Sequence, residues 1–319
     1  MAANTTNCLK AFLVFLIVHL PFLVLSRCLE HKNPQSFNTL LSLEGLSKGQ
    51  TDKNLPYLRQ YLKRFGYLNY KETTLNGNYF DEVLESAVKL YQRNYHLKVT
   101  GKLDFDTVKK AANPRCGFPD IGLRFKSINN GDHTNNGDDD PDFLFIKNSS
   151  LYKFFDGNPK WPAEKTHLTY TFISAVHPIP QEDLSSASSQ AFAEWTRNSK
   201  FTFAEVREGA VSDLRLGFFV GDHGDGHPFD GPLNVLAHAF APTYGRLHLD
   251  GAEAWSLSPP PPGQIDIVWV TMHEIGHLLG LAHSSDPNAV MFAQVTPGVA
   301  RRALTPDDIA GIQALYATP

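Results

Sequence analysis

The densest run of chemistry-bearing side chains in the 319-residue sequence is His273-Glu274-Ile275-Gly276-His277, followed by Gly280 and His283. Positions i and i+4 of a helix share one face, and four residues rise about 6 Å, so His273 and His277 can converge on a single ion. Imidazole nitrogens suit zinc, and a catalytic zinc keeps three protein ligands with an open fourth position. His283 completes the three if the chain reverses after the helix. Gly280 can supply that reversal, because glycine takes the left-handed conformation without steric cost. Glu274 stands beside the first ligand and can face the open position, where it would act as general base on a metal-activated water. The chemistry so encoded is hydrolysis. Packing histidines on a buried helix are the bland alternative, but three imidazoles around one glycine would then need other partners.

A second group lies upstream, where GDHGDGHPFDGPLNVLAHAFAP is followed by His248. His223, Asp225, His238 and His248 can supply a closed tetrahedral site of three nitrogens and one oxygen, which is structural rather than catalytic. His227 competes with His223 for the first place. The three cysteines, Cys8, Cys28 and Cys116, are too few for a disulfide framework.

These groups need elements to position them. Leu55, Leu58, Leu62 and Phe65 share a helical face that Gly66 can end. Asp81 can cap a second helix with the stripe Val83, Leu84, Ala87, Val88, Tyr91 and Tyr95, and Asp104 or Asp106 a third that ends near Asn113. The pattern predicts a three-helix bundle over 54–113, after a loose polar lead-in over 27–51. A mixed α and β domain follows over 151–319. Strands are expected at Leu168–Ile173, Phe201–Val206, Leu214–Val220 and Asn234–Ala241, and a helix at Asp183–Asn198. The metal-binding helix should run over Ile265–Leu279 after the proline-rich Ser258–Gly263, and a last helix should follow Thr305-Pro306.

Ala11–Leu25 is apolar, follows Lys10 and falls short of the roughly 20 residues that span a bilayer. It reads as a secretory signal over 1–26, cleaved after Ser26 or after Cys28. Pro21 and the short run count against a retained anchor. Export leaves Cys116 as an unpaired thiol in an oxidising compartment. Between Ser127 and Pro141 the chain is rich in Asn, Gly and Asp. The run Asp138-Asp139-Asp140 and His133 there read as a solvated linker, which is also a site for processing. Asn148-Ser149-Ser150 is a glycosylation sequon. A net charge of −4 excludes nucleic-acid binding driven by bulk positive charge, and 42% apolar residues exclude a wholly disordered chain.

HEIGHLLGLAH resembles the metzincin signature, and Met291 in AVMFA matches the clan's methionine turn. PRCGFPD, Pro114–Asp120, resembles the cysteine switch of the matrixins. That resemblance implies an α+β fold: a metzincin catalytic domain of twisted mixed sheet and three helices, behind a peptidoglycan-binding-like propeptide bundle. It implies a propeptide over 27–150, with the switch at 114–120 and a linker over 121–150. Cys116 would be the fourth zinc ligand of the latent form, and Arg115 would orient it through Asp120. The family pattern H-x-D…H…H favours His223 over His227 for the structural zinc. It also implies a calcium site from Asp230, Gly231, Leu233, Val235, Asp250 and Glu253, in keeping with calcium's preference for carboxylate and carbonyl oxygens. Asn234–Ala241 would be the edge strand that pairs with an extended substrate. The activity implied is a secreted metalloendopeptidase, made as a zymogen, that cuts extracellular proteins beside a hydrophobic residue. An activating protease would release it. The mature form would be monomeric, free of membrane and nucleic acid, in the extracellular space or cell wall. The compact layout and the proline-rich stretch look most like the plant matrixins. Phe292-Ala293 depart from the Tyr-Pro usual after the methionine, which puts the shape of the specificity pocket in question.

Overall fold

The computed structural model describes residues 37–68, 77–121 and 151–317. The expected signal with Cys8 and Cys28, the His133 and Asp138–Asp140 stretch and the Asn148 sequon lie outside the described residues, as does nearly all of the 121–150 linker.

The first elements are the helices α1 (Phe37–Leu41), α2 (Leu55–Arg64), α3 (Glu82–Asn94) and α4 (Phe105–Ala111). The expected stripes are what they bury: Leu55, Leu58 and Leu62 on α2, and Leu84, Ala87, Val88 and Tyr91 on α3. Asp81 caps α3 by accepting from Leu84 N at 2.8 Å. Asp104, rather than Asp106, caps α4 by accepting from Thr107 N at 3.0 Å. Among the described residues the three helices expected over 54–113 are α2, α3 and α4; the correction is to the lead-in over 27–51, which holds the additional one-turn helix α1. Leu40 and Leu43 there are 1% and 0% exposed and join the same core. A helix of one turn shows too little of the 3.6-residue period to be seen in a polar stretch.

A two-residue strand β1 (Arg115–Cys116) leads to the second part, built from β2 (His167–Phe172), α5 (Gln181–Asn198), β3 (Thr202–Glu205), β4 (Leu214–Phe219), β5 (Val235–Ala239) and β6 (Arg246–Asp250). The short pair β7 (Trp255–Ser256) and β8 (Ile265–Asp266), then α6 (Ile267–Leu278) and α7 (Pro306–Leu315), complete it. The sheet order is β1-β5-β6-β4-β2-β3. β3, β2, β4 and β6 run parallel, β5 is antiparallel to β6, and β1 is parallel to β5. The fold is therefore α+β with a mixed sheet. α5 and α6 carry Trp195 and Trp269, each 0% exposed, into one core with the sheet.

Every residue of α6 is buried, which explains its apolar opening Ile267-Val268-Trp269-Val270: a helix enclosed on all sides keeps no polar face. It starts two residues later than expected, because Ile265 and Asp266 pair with Trp255 and Ser256 as strand. Asp266 is instead the cap, accepting from Val268 N at 2.9 Å. Against α6 lies Met291, packed so closely that a Cβ on Gly276 would come within 2.2 Å of its sulfur. The start of α7 holds that segment in place. Thr305 and Asp308 form a capping box, and the Asp308 carboxylate also accepts from Val290 N at 2.9 Å and Met291 N at 3.0 Å.

Candidate metal centre

α6 presents His273 and His277 from one face. After it the chain turns at Gly280, whose φ of +106° and 2.5 Å clearance between an added Cβ and Pro159 O admit only glycine. His283 is thereby brought back. The ligating atoms of Cys116, His273, His277 and His283 all lie within 4.8 Å of one another, and all four residues are buried. Each imidazole directs Nδ1 outward: His273 to Val290 O at 2.7 Å, His277 to Leu281 O at 2.7 Å, and His283 to Asp120 Oδ1 at 2.8 Å. Nδ1–H bonds to these acceptors leave the Nε2 lone pairs aimed inward. Nε2 of His273 and of His283 is buried with no hydrogen-bond partner. Burial, reinforced by the neighbouring imidazoles, pushes His273 down to about 3 and His277 well below its usual value, and burial lowers His283 despite its bond to Asp120. All three are thus neutral at pH 7, the form that binds metal.

Glu274 is 0% exposed, and its carboxylate faces the Cys116 thiol. Burial pushes it up to about 8. Orphaned polar atoms in a dry site are costly. A set of three nitrogens and one sulfur with two such nitrogens is the donor set of a tetrahedral zinc site, and the residues fit that ion.

Cys116 reaches the cluster because β1 is clamped on both sides. Arg115 N donates to Asn234 O at 2.7 Å and Gly117 N to Ala237 O at 2.7 Å, while Cys116 N donates to Ala293 O at 2.8 Å and Val295 N to Pro114 O at 2.9 Å. The Cys116 sulfur lies 3.4 Å from His277 Nε2. Burial and the nearby Glu274 carboxylate hold its thiol well above the usual range. Arg115 and Asp120 form a bidentate pair, with NH2 to Oδ1 at 2.7 Å and NH1 to Oδ2 at 3.0 Å. The guanidinium also lies 3.4 Å from the centre of the Phe65 ring. Burial opposes the Asp120 charge, but Arg115 and His283 overcome it and hold the carboxyl far below the usual range.

Several partners carried no sequence signal. The carbonyls of Val290 and Leu281 are backbone, so residue type could not reveal them. Tyr67 and Tyr95 donate to Asp120 Oδ2 at 2.5 and 3.0 Å. Tyr95 had read as part of an apolar stripe, which describes its ring and not its hydroxyl. Phe292 packs edge-on against Tyr95 with ring centres 5.8 Å apart, and Gln294 Nε2 donates to Lys110 O at 2.7 Å. The departure from the family pattern at this point therefore faces the N-terminal helices.

His223, Asp225, His238 and His248 form the second cluster that closes within 4.8 Å. His238 on β5 and His248 on β6 are cross-strand partners. Asp225 Oδ2 lies 2.9 Å from His223 Nε2, 2.7 Å from His238 Nε2 and 2.8 Å from His248 Nδ1. His227 is outside the cluster and contributes only its backbone N–H, to Asp225 Oδ1 at 2.8 Å. Burial pushes His238 down to about 3 and His248 to about 4 despite the adjacent Asp225.

Asp230, Asp250 and Glu253 share a third neighbourhood with Gly231, Leu233 and Val235. Glu253 Oε1 accepts from Leu233 N at 2.7 Å, and Asp230 Oδ1 accepts from Val235 N at 3.2 Å. Asp250 is 0% exposed, with one carboxylate oxygen lacking a partner. Burial, then the neighbouring carboxylates, push Glu253 up to about 8, and the same causes raise Asp250 to about 6. Among the described residues, only the two histidine clusters close within 4.8 Å.

A family model for matrixin peptidases matches residues 160–317, and one for a putative peptidoglycan binding domain matches residues 51–110. Metalloendoproteinase 5-MMP of Arabidopsis thaliana is 40% identical over 296 residues, covering 88% of this chain and 76% of that protein. Metalloendoproteinase 1 of Glycine max is 40% identical over 273 residues, covering 84% of this chain and 83% of its own. Human neutrophil collagenase is 34% identical over 276 residues, covering 83% of this chain and 50% of the collagenase. With a histidine cluster suited to zinc and relatives of this coverage, the chain belongs to the matrixins and is a plant-type, zinc-dependent metalloendopeptidase.

Proposed function

We propose that the protein is a secreted matrixin zymogen in which 27–150 is the propeptide, 114–120 the cysteine switch and 151–319 the catalytic domain. The observation that carries this reading is the shared cluster of Cys116 with His273, His277 and His283, next to a fully buried Glu274. His273, His277 and His283 would hold the catalytic zinc, with Cys116 as fourth ligand until activation. Bound there, zinc supplies a Lewis acid that polarises a carbonyl and lowers the pKa of water. Glu274 takes the proton of the attacking water on its carboxylate and delivers it to the leaving amine. Its raised affinity for protons suits it to both halves of that transfer. Asn234 O, Ala237 O, Ala293 O and Val295 N hold β1 in place. Once β1 leaves, they offer the same main-chain bonds to an extended protein substrate.

The test is cleavage of the full-length, zinc-loaded chain within 121–150 by an added protease. Peptidase activity that appears with the cut and vanishes with a zinc chelator is expected. A folded, zinc-loaded, cut sample with no activity on a broad peptide library would defeat the reading.

His223, Asp225, His238 and His248 are assigned to a structural zinc. Asp230, Asp250 and Glu253, with the carbonyls of Gly231, Leu233 and Val235, are assigned to calcium. The orphaned Asp250 oxygen and the mutually raised carboxylates are what a divalent cation would relieve. Calcium at 100 times its Kd would then stabilise the fold by about 2.7 kcal/mol. For a domain of this size that is roughly 5–10 °C in Tm. Differential scanning fluorimetry in zinc-buffered solution should show this shift, and Asp250→Asn should remove most of it. A Tm indifferent to calcium would sink the assignment.

Among the described residues no helix is long and apolar enough to cross a membrane. The export signal, extracellular protein substrates, activation by another protease and a monomeric mature form complete the proposal.

A further inference from the structure

The three histidines of the metal centre are oriented by unequal partners. His273 and His277 give their Nδ1–H to carbonyls of Val290 and Leu281, both beyond residue 151. His283 gives its Nδ1–H to the carboxylate of Asp120, at 2.8 Å, across 163 positions of sequence. Among the described residues no other group is within hydrogen-bond reach of that nitrogen. We propose that Asp120 is a positioning residue for the metal. The Pro114–Asp120 segment then closes the centre twice, once through the Cys116 thiol and once through a carboxylate that holds His283 in ligating orientation. This rests on the reading that the histidine cluster holds zinc and that Cys116 is its latent ligand.

The carboxylate is built to hold still. Its Oδ1 is shared between His283 and Arg115 NH2, and its Oδ2 accepts from Tyr67, Tyr95 and Arg115 NH1. The Asp120 side chain is 2% exposed, so water does not compete. A carboxylate behind a ligating imidazole fixes its tautomer and raises its basicity, and losing such a partner typically costs about 10–100-fold in metal affinity. The tyrosines tie the carboxylate to the N-terminal helices. Cutting in 121–150 and releasing the propeptide therefore takes away Asp120 together with Cys116. His283 is left as the one ligand of three without its outer partner. The latent form is thus the tight metal-binding form, and activation loosens the ion by more than the loss of the thiol.

The test follows zinc transfer from the full-length chain to a chromophoric chelator. It is run in a Cys116→Ser background, so that the thiol makes no contribution. Asp120→Asn in that background should speed zinc release about tenfold or more. The pair Tyr67→Phe and Tyr95→Phe, which loosens Asp120 Oδ2 and one Arg115 contact but leaves Oδ1 bonded to His283 and Arg115 NH2, should speed release by much less than Asp120→Asn does. A second measurement needs no change at Asp120. In the zinc-loaded, 15N-histidine-labelled chain, the His283 Nδ1–H proton should resonate downfield of those of His273 and His277. It should lose that position on activation cleavage while the other two stay. Zinc release unchanged by Asp120→Asn, or a His283 signal unmoved by activation, overturns the proposal. A Cys116→Ser chain that stays as latent as the parent would instead overturn the cysteine reading, and the two failures are separable.

Discussion

A full-length chain carrying Cys116→Ser is expected to hydrolyse a peptide substrate with its propeptide still attached, at least about 10²-fold faster than the intact wild-type zymogen. Such a factor corresponds to about 2.7 kcal/mol. It is the least that replacing a thiolate ligand by a hydroxyl, a far weaker zinc ligand, should yield. Serine keeps the volume of the site and leaves the clamp intact. The four main-chain bonds of β1 and the buried Arg115–Asp120 pair do not involve the sulfur. The backbone at Gly117 is so close to β5 that an added Cβ would lie 2.7 Å from Val235 Cγ1. The segment therefore still blocks the cleft part of the time. Cleavage of the Cys116→Ser chain should add a further increase, ending at the rate of activated wild type. A Cys116→Ser chain as inert as the parent before cleavage, and equal to it afterwards, would show that the clamp alone maintains latency.

The same segment shows what residue types can and cannot announce. The spacing of His273, His277, Gly280 and His283 was legible because helix geometry and a glycine turn convert that spacing directly into convergence. The apolar stripes of α2 and α3 were legible for the same reason: a period of 3.6 residues has one structural meaning. β6 was not foreseen, although it carries His248. Its sequence, Arg-Leu-His-Leu-Asp, is short, and it becomes a strand only by pairing with β4 on one side and β5 on the other. Nor was β1, whose two residues form a strand only because β5 lies open beside them. His223 could be set above His227 only through the family pattern. The geometry that separates them is a loop in which His227 turns its backbone, not its ring, toward Asp225. Asp120 was expected as the partner of Arg115. Its bond to His283 joins residues that no local pattern relates.

In the activated enzyme, Glu274→Gln is expected to lower kcat/KM by about 10²–10⁴-fold, the usual contribution of a positioned general base, while bound zinc remains at the wild-type level. The two readouts separate because Glu274 is not among the four clustered ligating residues. In the latent form its carboxylate faces the Cys116 thiol, a contact that an amide can also make and that is gone in the activated enzyme. Burial pushes Glu274 up to about 8, which means that the metal-free site resists a negative charge at this position. In the metal-free protein glutamine removes that conflict, and Tm should stay level or rise. A variant that lost activity by misfolding would show the reverse, with a lower Tm and less zinc. Loss of activity below tenfold with zinc retained would assign the proton transfer to another group. Loss of zinc along with activity would make Glu274 a support of the metal centre rather than its base. Catalytic loss at constant metal and undiminished stability is the combination that only a general base buried against its own ionisation produces.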